Sequence, residues 1–212
     1  MYIHTEDLIK IKSTPEEKLP VLKGMKELES CYFHNFNCQV FLFRGVPPKG
    51  LQDPTLRYVC QQYHGKPRFL TLFDPIDHIP IYSAYIFQKS DGLKTMDAPW
   101  MFEPQLSSIL ETAEMQPFVQ GYHHQLLHRT QAVLEDYANA VDFERGQLNP
   151  DEHHNSPDDK AATYSLTNVV PEASGQHSVW SHDMARWQAS PGSANTLVVS
   201  LLLPRLRSQR AV

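Results

Sequence analysis

Sixteen prolines spread through 212 residues limit what this chain can fold into. Each removes a backbone donor and fixes φ, so long helices and central sheet positions are disfavoured around it, while turns, edges and helix starts accept it. The expected fold class is therefore α+β, rich in loops and edge strands, rather than a helix bundle. The length suits one domain with a proper core, with or without tails, and is too short for two ordinary ones. A net charge of −5 gives no general attraction to nucleic acid, so any such binding needs a local basic surface. That counts against a structural DNA binder but not against a nuclease, which must release its product.

Three segments follow from the patterning. Residues 1–34 form a charged lead segment, in which "MYIHTEDLIKIKSTPEEKLP" lacks the continuous apolar core of a secretory signal; read literally, the chain starts in the cytosol. Residues 35–187 carry the domain. Residues 188–212, "QASPGSANTLVVSLLLPRLRSQRAV" from their first position, change character to a Ser/Pro/Gly/Ala stretch, an apolar run and an Arg-rich end. They are expected to be a divergent, disordered tail outside the fold. The run "LVVSLLL" at 197–203 is far shorter than the roughly twenty residues a spanning helix needs, so no membrane span is expected. Cys31, Cys38 and Cys60 form no Cys-x-x-Cys pair; a Cys38–Cys60 disulfide and free thiols in a reducing compartment both stay open.

Within the domain, "CQVFLFRG" reads as a strand, followed by a Pro/Gly loop. "YVCQQYHGKPRFLTLFD" and "DHIPIYSAYIF" read as two more strands around a turn at Pro75–His78, with aromatics alternating at Tyr85 and Phe87. Short helices and loops are expected over 88–142. "FERGQLNP" then reads as a loop, "DEHHNSPDDKAAT" as a polar connection, "TYSLTNVV" as a strand, and "PEASGQHSVWSHDMARW" as a loop entering a helix.

The chemistry-bearing residues are few. Arg145 beside Gly146 is expected to set a guanidinium on a tight turn, suited to bidentate contact with phosphate; the plain alternative is an ion pair with Glu144, Asp142 or a more distant acid. His153 and His154, with Asp151, Glu152, Asp158 and Asp159 nearby, have metal-ligand chemistry, but adjacent residues on an extended loop diverge, so a solvated turn is expected. His124 and His128 have i, i+4 spacing without an accompanying acid, a weak metal signal.

Taken together, "CQVFLFRGVPPKGL", "YVCQQYHGKPRFLTLFDPIDHIPIYSAYIF", "MFEPQL", "DYANAVDFERGQLNP" and "AATYSLTNVVPEASGQHSVW" resemble, in order, the endonuclease domain-containing 1 group of the DNA/RNA non-specific endonucleases. The resemblance covers about Cys38 to Trp180. It implies a ββα-metal nuclease-like fold with a mostly antiparallel sheet and flanking helices, incomplete on the C-terminal side. It also implies DNA or RNA as partner, phosphodiester hydrolysis, and a secreted or extracellular setting. The family's loop has the form Asp-Arg-Gly-His-x-Asn-Pro, its histidine serving as general base. The matching positions are Glu144, Arg145, Gly146, Gln147, Leu148, Asn149 and Pro150, of which Arg145 would clamp phosphate. A later Thr-Asn-x-x-Pro segment, followed by a metal-binding Asn and a Trp, matches Thr167, Asn168, Pro171, His177 and Trp180.

Two positions depart from that pattern. Gln147 has no titratable nitrogen, so it can orient a water but cannot deprotonate it. His177 stands where the metal-binding Asn is expected and suits a transition metal better than Mg²⁺, the ion the resemblance implies; Mn²⁺, Ca²⁺ and Zn²⁺ are the alternatives. Three expectations follow: a divergent endonuclease in which His153 or His154 replaces the base, an inactive nuclease-like binding module, and an incomplete fragment.

Overall fold

Three consecutive strands form where aromatic and β-branched residues are densest: β1 (Arg57–Tyr63), β2 (Lys66–Asp74) and β3 (Ile79–Phe87). The computed structural model describes residues 36–51, 53–90, 98–107, 112–119, 126–141, 143–173 and 196–201. The run through 58–74, expected as one strand, is instead a hairpin. His64 and Gly65 both take positive φ, 52° and 69°, which lets two residues reverse the chain with the twist that antiparallel strands prefer. The turn at Pro75–His78 lies where expected, held by Asp74 Oδ1, which accepts from the Ile76 and Asp77 amides at 2.9 and 3.2 Å.

The remaining strands are short: β4 (Met101–Phe102), β5 (Gln116–Pro117), β6 (Phe143–Gln147), β7 (Val169–Ala173) and β8 (Thr196–Leu201). The four-stranded sheet has the order β1-β2-β3-β8, while β4-β5 and β6-β7 form two-stranded pairs; every pair is antiparallel. The fold is the expected α+β type. Several expectations fail within it. The apolar run placed in a tail is in part β8, whose Val198 and Val199 pair with Tyr85 and Ala84. Covering the edge of β3 buries that apolar surface and satisfies a row of backbone groups. "FERGQ" is strand β6 rather than a loop, and "TYSLTNVV" starts as a 3₁₀ turn at Leu166–Asn168 before β7.

The segment "CQVFLFRG" is not a strand either. It forms 3₁₀ turns at Phe36–Phe41 and Phe43–Gly45. Cys38, Phe41 and Leu42 point inward while Val40 is 63% exposed, an i, i+3, i+4 spacing that suits a helical turn. The turn ends as Arg44 and Gly45 enter positive φ, and a disulfide joins Cys38 to Cys60 of β1.

Both faces of the sheet are covered. Cys60, Leu70, Leu72, Tyr82, Ala84 and Val199 pack with the Cys38–Leu42 turn on one face. On the other, Phe69, Tyr85, Phe87 and Val198 meet Met101, Met115 and Ala162. Ala162 belongs to helix α1 (Pro157–Ala162), which lies inside the expected polar connection. Its start is locally encoded: Ser156 Oγ accepts from the Asp159 amide at 3.1 Å, Pro157 occupies the first turn, and Asp158 and Asp159 oppose the positive end of the helix.

Candidate functional site

Strand β6 brings Glu144, Arg145 and Gln147 together, with Asn149 just beyond it. Because side chains alternate along a strand, Arg145 and Gln147 share one face and Gly146 lies on the other. Arg145-Gly146 is thus not a tight turn. Gly146 suits its place for a different reason: it sits opposite Val170, and an added Cβ would be crowded, 2.8 Å from Glu172 Oε2, 3.1 Å from Glu172 Cβ and 3.3 Å from the Val170 carbonyl. Arg145 is exposed, and its guanidinium carbon lies 4.6 Å from the centre of the Trp100 ring. Among the described residues no carboxylate forms an ion pair with it, so the expected alternative of a pairing with Glu144 does not occur.

Gln147 is half-buried, and both ends of its amide are committed. Nε2 donates to the carbonyl and the hydroxyl oxygen of Thr163, each at 3.1 Å. Oε1 accepts from the Asp151 amide at 3.2 Å. The side chain therefore ties the end of β6 to the residues flanking α1.

Asn149 is wholly buried and is held by Asn168. Its amide donates to Asn168 Oδ1 at 2.9 Å, and Asn168 Nδ2 donates to the carbonyls of Asn149 and Thr163, both at 2.9 Å. The Leu148 amide donates to the Asn168 carbonyl at 2.9 Å. Asn168 is anchored in turn to the sheet, since Ser83 Oγ donates to its Oδ1 at 3.3 Å. Beyond Ser83 the bonds continue to Thr71 and then to Gln61, whose side chain donates to Thr167 Oγ1. Gln61, Thr71 and Ser83 lie on the sheet face that meets the motif, and each is fully buried. A buried polar group is costly unless paired, so such a chain holds only when its members meet.

His153 and His154 are buried, 4% and 3% exposed, which overturns the expected solvated turn. His153 Nδ1 lies 2.6 Å from the Tyr85 hydroxyl, and His154 Nε2 lies 2.8 Å from Asn149 Oδ1. Burial, helped by the neighbouring His154, pushes His153 down to about 3. Burial also pushes His154 down to about 4, against the opposing pull of Asp159 and Asp151. Their rings pack against β3, with the His153 and His154 ring centres 5.6 and 5.5 Å from that of Tyr85 and the His153 ring centre 5.0 Å from that of Phe87. Neither ring is placed to meet a solvent water.

Among the described residues no three His, Cys, Asp or Glu side chains converge on a cation position. Asp158 and Asp159 instead bind Arg68 at 3.0 and 2.9 Å, and His128 meets Asp136 at 3.2 Å. His177, Trp180 and His124 lie outside the described residues. Sequence reading did not single out Trp100, Thr163, Gln61, Thr71 or Ser83. The last three had a signal: polar residues interrupting otherwise apolar, two-sided buried strands demand partners.

Comparison with known proteins gives the family frame. Residues 49–182 match the family model described as DNA/RNA non-specific endonuclease. The chain is similar to endonuclease domain-containing 1 protein of Homo sapiens, 31% identical over 147 residues. It is also similar to that of Mus musculus, 30% identical over 150 residues. Each match covers 68% of this chain and 28% of the relative, so the chain spans little more than a quarter of those proteins.

Proposed function

The chain belongs to the DNA/RNA non-specific endonuclease family, and from that premise we propose that β6 carries a nuclease-type phosphodiester site that binds nucleic acid and hydrolyses it weakly or not at all. Arg145 is the group that meets phosphate: it is exposed, lies in the family loop, and has no acidic partner among the described residues. A guanidinium in that state can offer paired N–H groups to phosphate oxygens. Glu144 flanks it, and Asn149 sets the backbone that follows.

The observation that carries the reading is the double engagement of Gln147 with Thr163 and Asp151. A carboxamide cannot take a proton from water near neutral pH, and this one has both ends occupied by structural bonds. Its role is to tie the end of β6 to Thr163 and Asp151. The competing reading, in which His153 or His154 serves as base, is opposed by their burial and lowered basicity. A divalent ion, Mg²⁺ by family resemblance with Mn²⁺, Ca²⁺ or Zn²⁺ as alternatives, would stabilise charge on the phosphate. The described donors do not fit one, because the Asn149 and Asn168 oxygens are already hydrogen-bonded, and His177 lies outside the described residues. The Cys38–Cys60 disulfide supports an oxidising compartment, in keeping with a secreted or extracellular setting; no described helix is long and apolar enough to cross a membrane.

The test is to incubate the protein with plasmid and RNA in each of the four ions, alongside Arg145→Ala and Gln147→His. Binding should weaken in Arg145→Ala. Restoring the base should raise cleavage by roughly 10²- to 10⁴-fold, the usual scale of general-base catalysis. Rapid cleavage by the unsubstituted chain, unaltered by Gln147→His, would sink the weak-catalysis reading.

A further inference from the structure

Arg145 is held from outside its own strand. Trp100 precedes β4, 45 residues earlier in the chain, and presents its ring to the Arg145 guanidinium at 4.6 Å. The indole is itself seated. It packs on the buried cluster of Ala132, Leu166 and Val169, and its ring centre lies 5.2 Å from that of Tyr164. Its carbonyl accepts from the Phe118 amide at 3.1 Å. The Tyr164 hydroxyl donates to Asp151 Oδ2 at 2.9 Å, and the Asp151 amide donates to Gln147 Oε1. The contacts thus run in a ring from Arg145 through Trp100, Tyr164 and Asp151 to Gln147, back on the same face of β6.

We infer that Trp100 is a positioning residue that holds the Arg145 guanidinium at a fixed place relative to position 147, ready for a nucleic-acid phosphodiester. The inference rests on the phosphate-binding reading of Arg145. A free arginine side chain samples many rotamers, and confining it before binding removes a cost that the ligand would otherwise bear. The indole can do this without neutralising the charge, which a carboxylate in the same place would do. It also occupies one side of the guanidinium, leaving its in-plane N–H groups for a phosphate. Binding through such a contact carries no base sequence.

The experiment is fluorescence polarisation of a labelled oligonucleotide, single-stranded and duplex, across a salt series. It compares the full chain with Trp100→Leu, Trp100→Phe, Arg145→Ala and the Trp100→Leu/Arg145→Ala double variant. Trp100→Leu keeps apolar bulk but removes the ring face and should weaken binding about two- to fivefold, the scale of an exposed cation–π contact. Trp100→Phe keeps a face and should retain most of the affinity. Arg145→Ala should lower the salt slope by about 0.7 to 0.9, one phosphate contact. In the Arg145→Ala background, Trp100→Leu should change nothing further. An equal loss from Trp100→Leu with and without Arg145 overturns the inference and makes the indole an independent contact. Unchanged binding in Trp100→Leu, while Arg145→Ala weakens it, overturns the inference but not the phosphate reading. Unchanged binding in Arg145→Ala, or no binding by the unsubstituted chain, overturns both. If Trp100→Leu fails to fold, weakening in folded Trp100→Phe to the level of Arg145→Ala overturns the inference, and retained affinity supports it.

Discussion

The two faces of the four-stranded sheet are sealed by different physics. Against the Cys38–Leu42 turn the contact is apolar, with a disulfide across it. Against the β6-β7 layer, Gln61, Thr71 and Ser83 pass hydrogen bonds to Thr167 and Asn168, and Asn168 carries the backbone of the family loop. Apolar packing is non-directional and tolerates small shifts, whereas a hydrogen-bonded seam fixes angles and register. The face toward the proposed site adds directional bonds to its own apolar cluster, whereas the opposite face is apolar and cross-linked.

The sharpest way to break that contrast is Asn168→Ala. It leaves the backbone amide and carbonyl of Asn149 without their partner in a buried place, at about 1–3 kcal/mol for each unsatisfied group, while the Thr163 carbonyl keeps its bond from Gln147. A loss of about 3 kcal/mol or more is expected in denaturant unfolding, with faster amide exchange at Leu148 and Asn149 than in β2. Equal exchange in the two regions would show that the seam is not what orders the loop. Replacing Cys38 and Cys60 by serine should cost about 3 kcal/mol in the same measurement, mainly by freeing the unfolded chain. Oligonucleotide affinity of the folded fraction should not change, because the cross-link lies on the other face.

A smaller effect comes from buried titratable groups on the seam side. Burial pushes the Glu103 carboxyl up to about 8, against hydrogen bonds from Gln105 and Gln61. The folded state therefore keeps a proton that the unfolded chain releases, and this contribution to stability is lost as pH rises from the ordinary carboxylate range through 8. His153 and His154 act in the opposite sense: held near 3 and 4, they stay neutral while the unfolded chain protonates below its ordinary histidine value, so stability falls as pH drops. These three groups together place the maximum of thermal stability near about pH 6.5. In Glu103→Gln the decline on the alkaline side should flatten while the acid limb remains. A decline that persists unchanged in Glu103→Gln would assign it elsewhere.

How much of this was legible in the residues follows the same division. The Pro75–His78 turn and the apolar character of β3 were readable because turn chemistry and burial are local or repetitive. The Cys38–Gly45 segment was misread because a short apolar run fits a strand and a helical turn equally, and its period is decided by the disulfide and the sheet it meets. Helix α1 announced itself through Ser156, Pro157, Asp158 and Asp159, a cap that the surrounding polarity obscured. The histidine pair looked solvated because its acidic neighbours are exposed or face Arg68, while the rings turn inward. The segment Glu144–Pro150 could be set beside the family pattern from sequence alone, but the Asn168 clasp and the Trp100 contact join positions far apart in the chain, which no local pattern records.

Strand β8 has a consequence for the order of assembly. β1, β2 and β3 can zip as a local meander, but about a hundred residues separate Phe87 from Thr196, the next strand of the same sheet. During synthesis at roughly 5–20 residues per second, β3 would therefore wait for seconds with one edge open. In that interval its unpaired backbone is a template for any passing extended segment, including one from a neighbouring nascent copy. Crowding of ribosomes on one message is then a condition that exposes this sheet to mispairing.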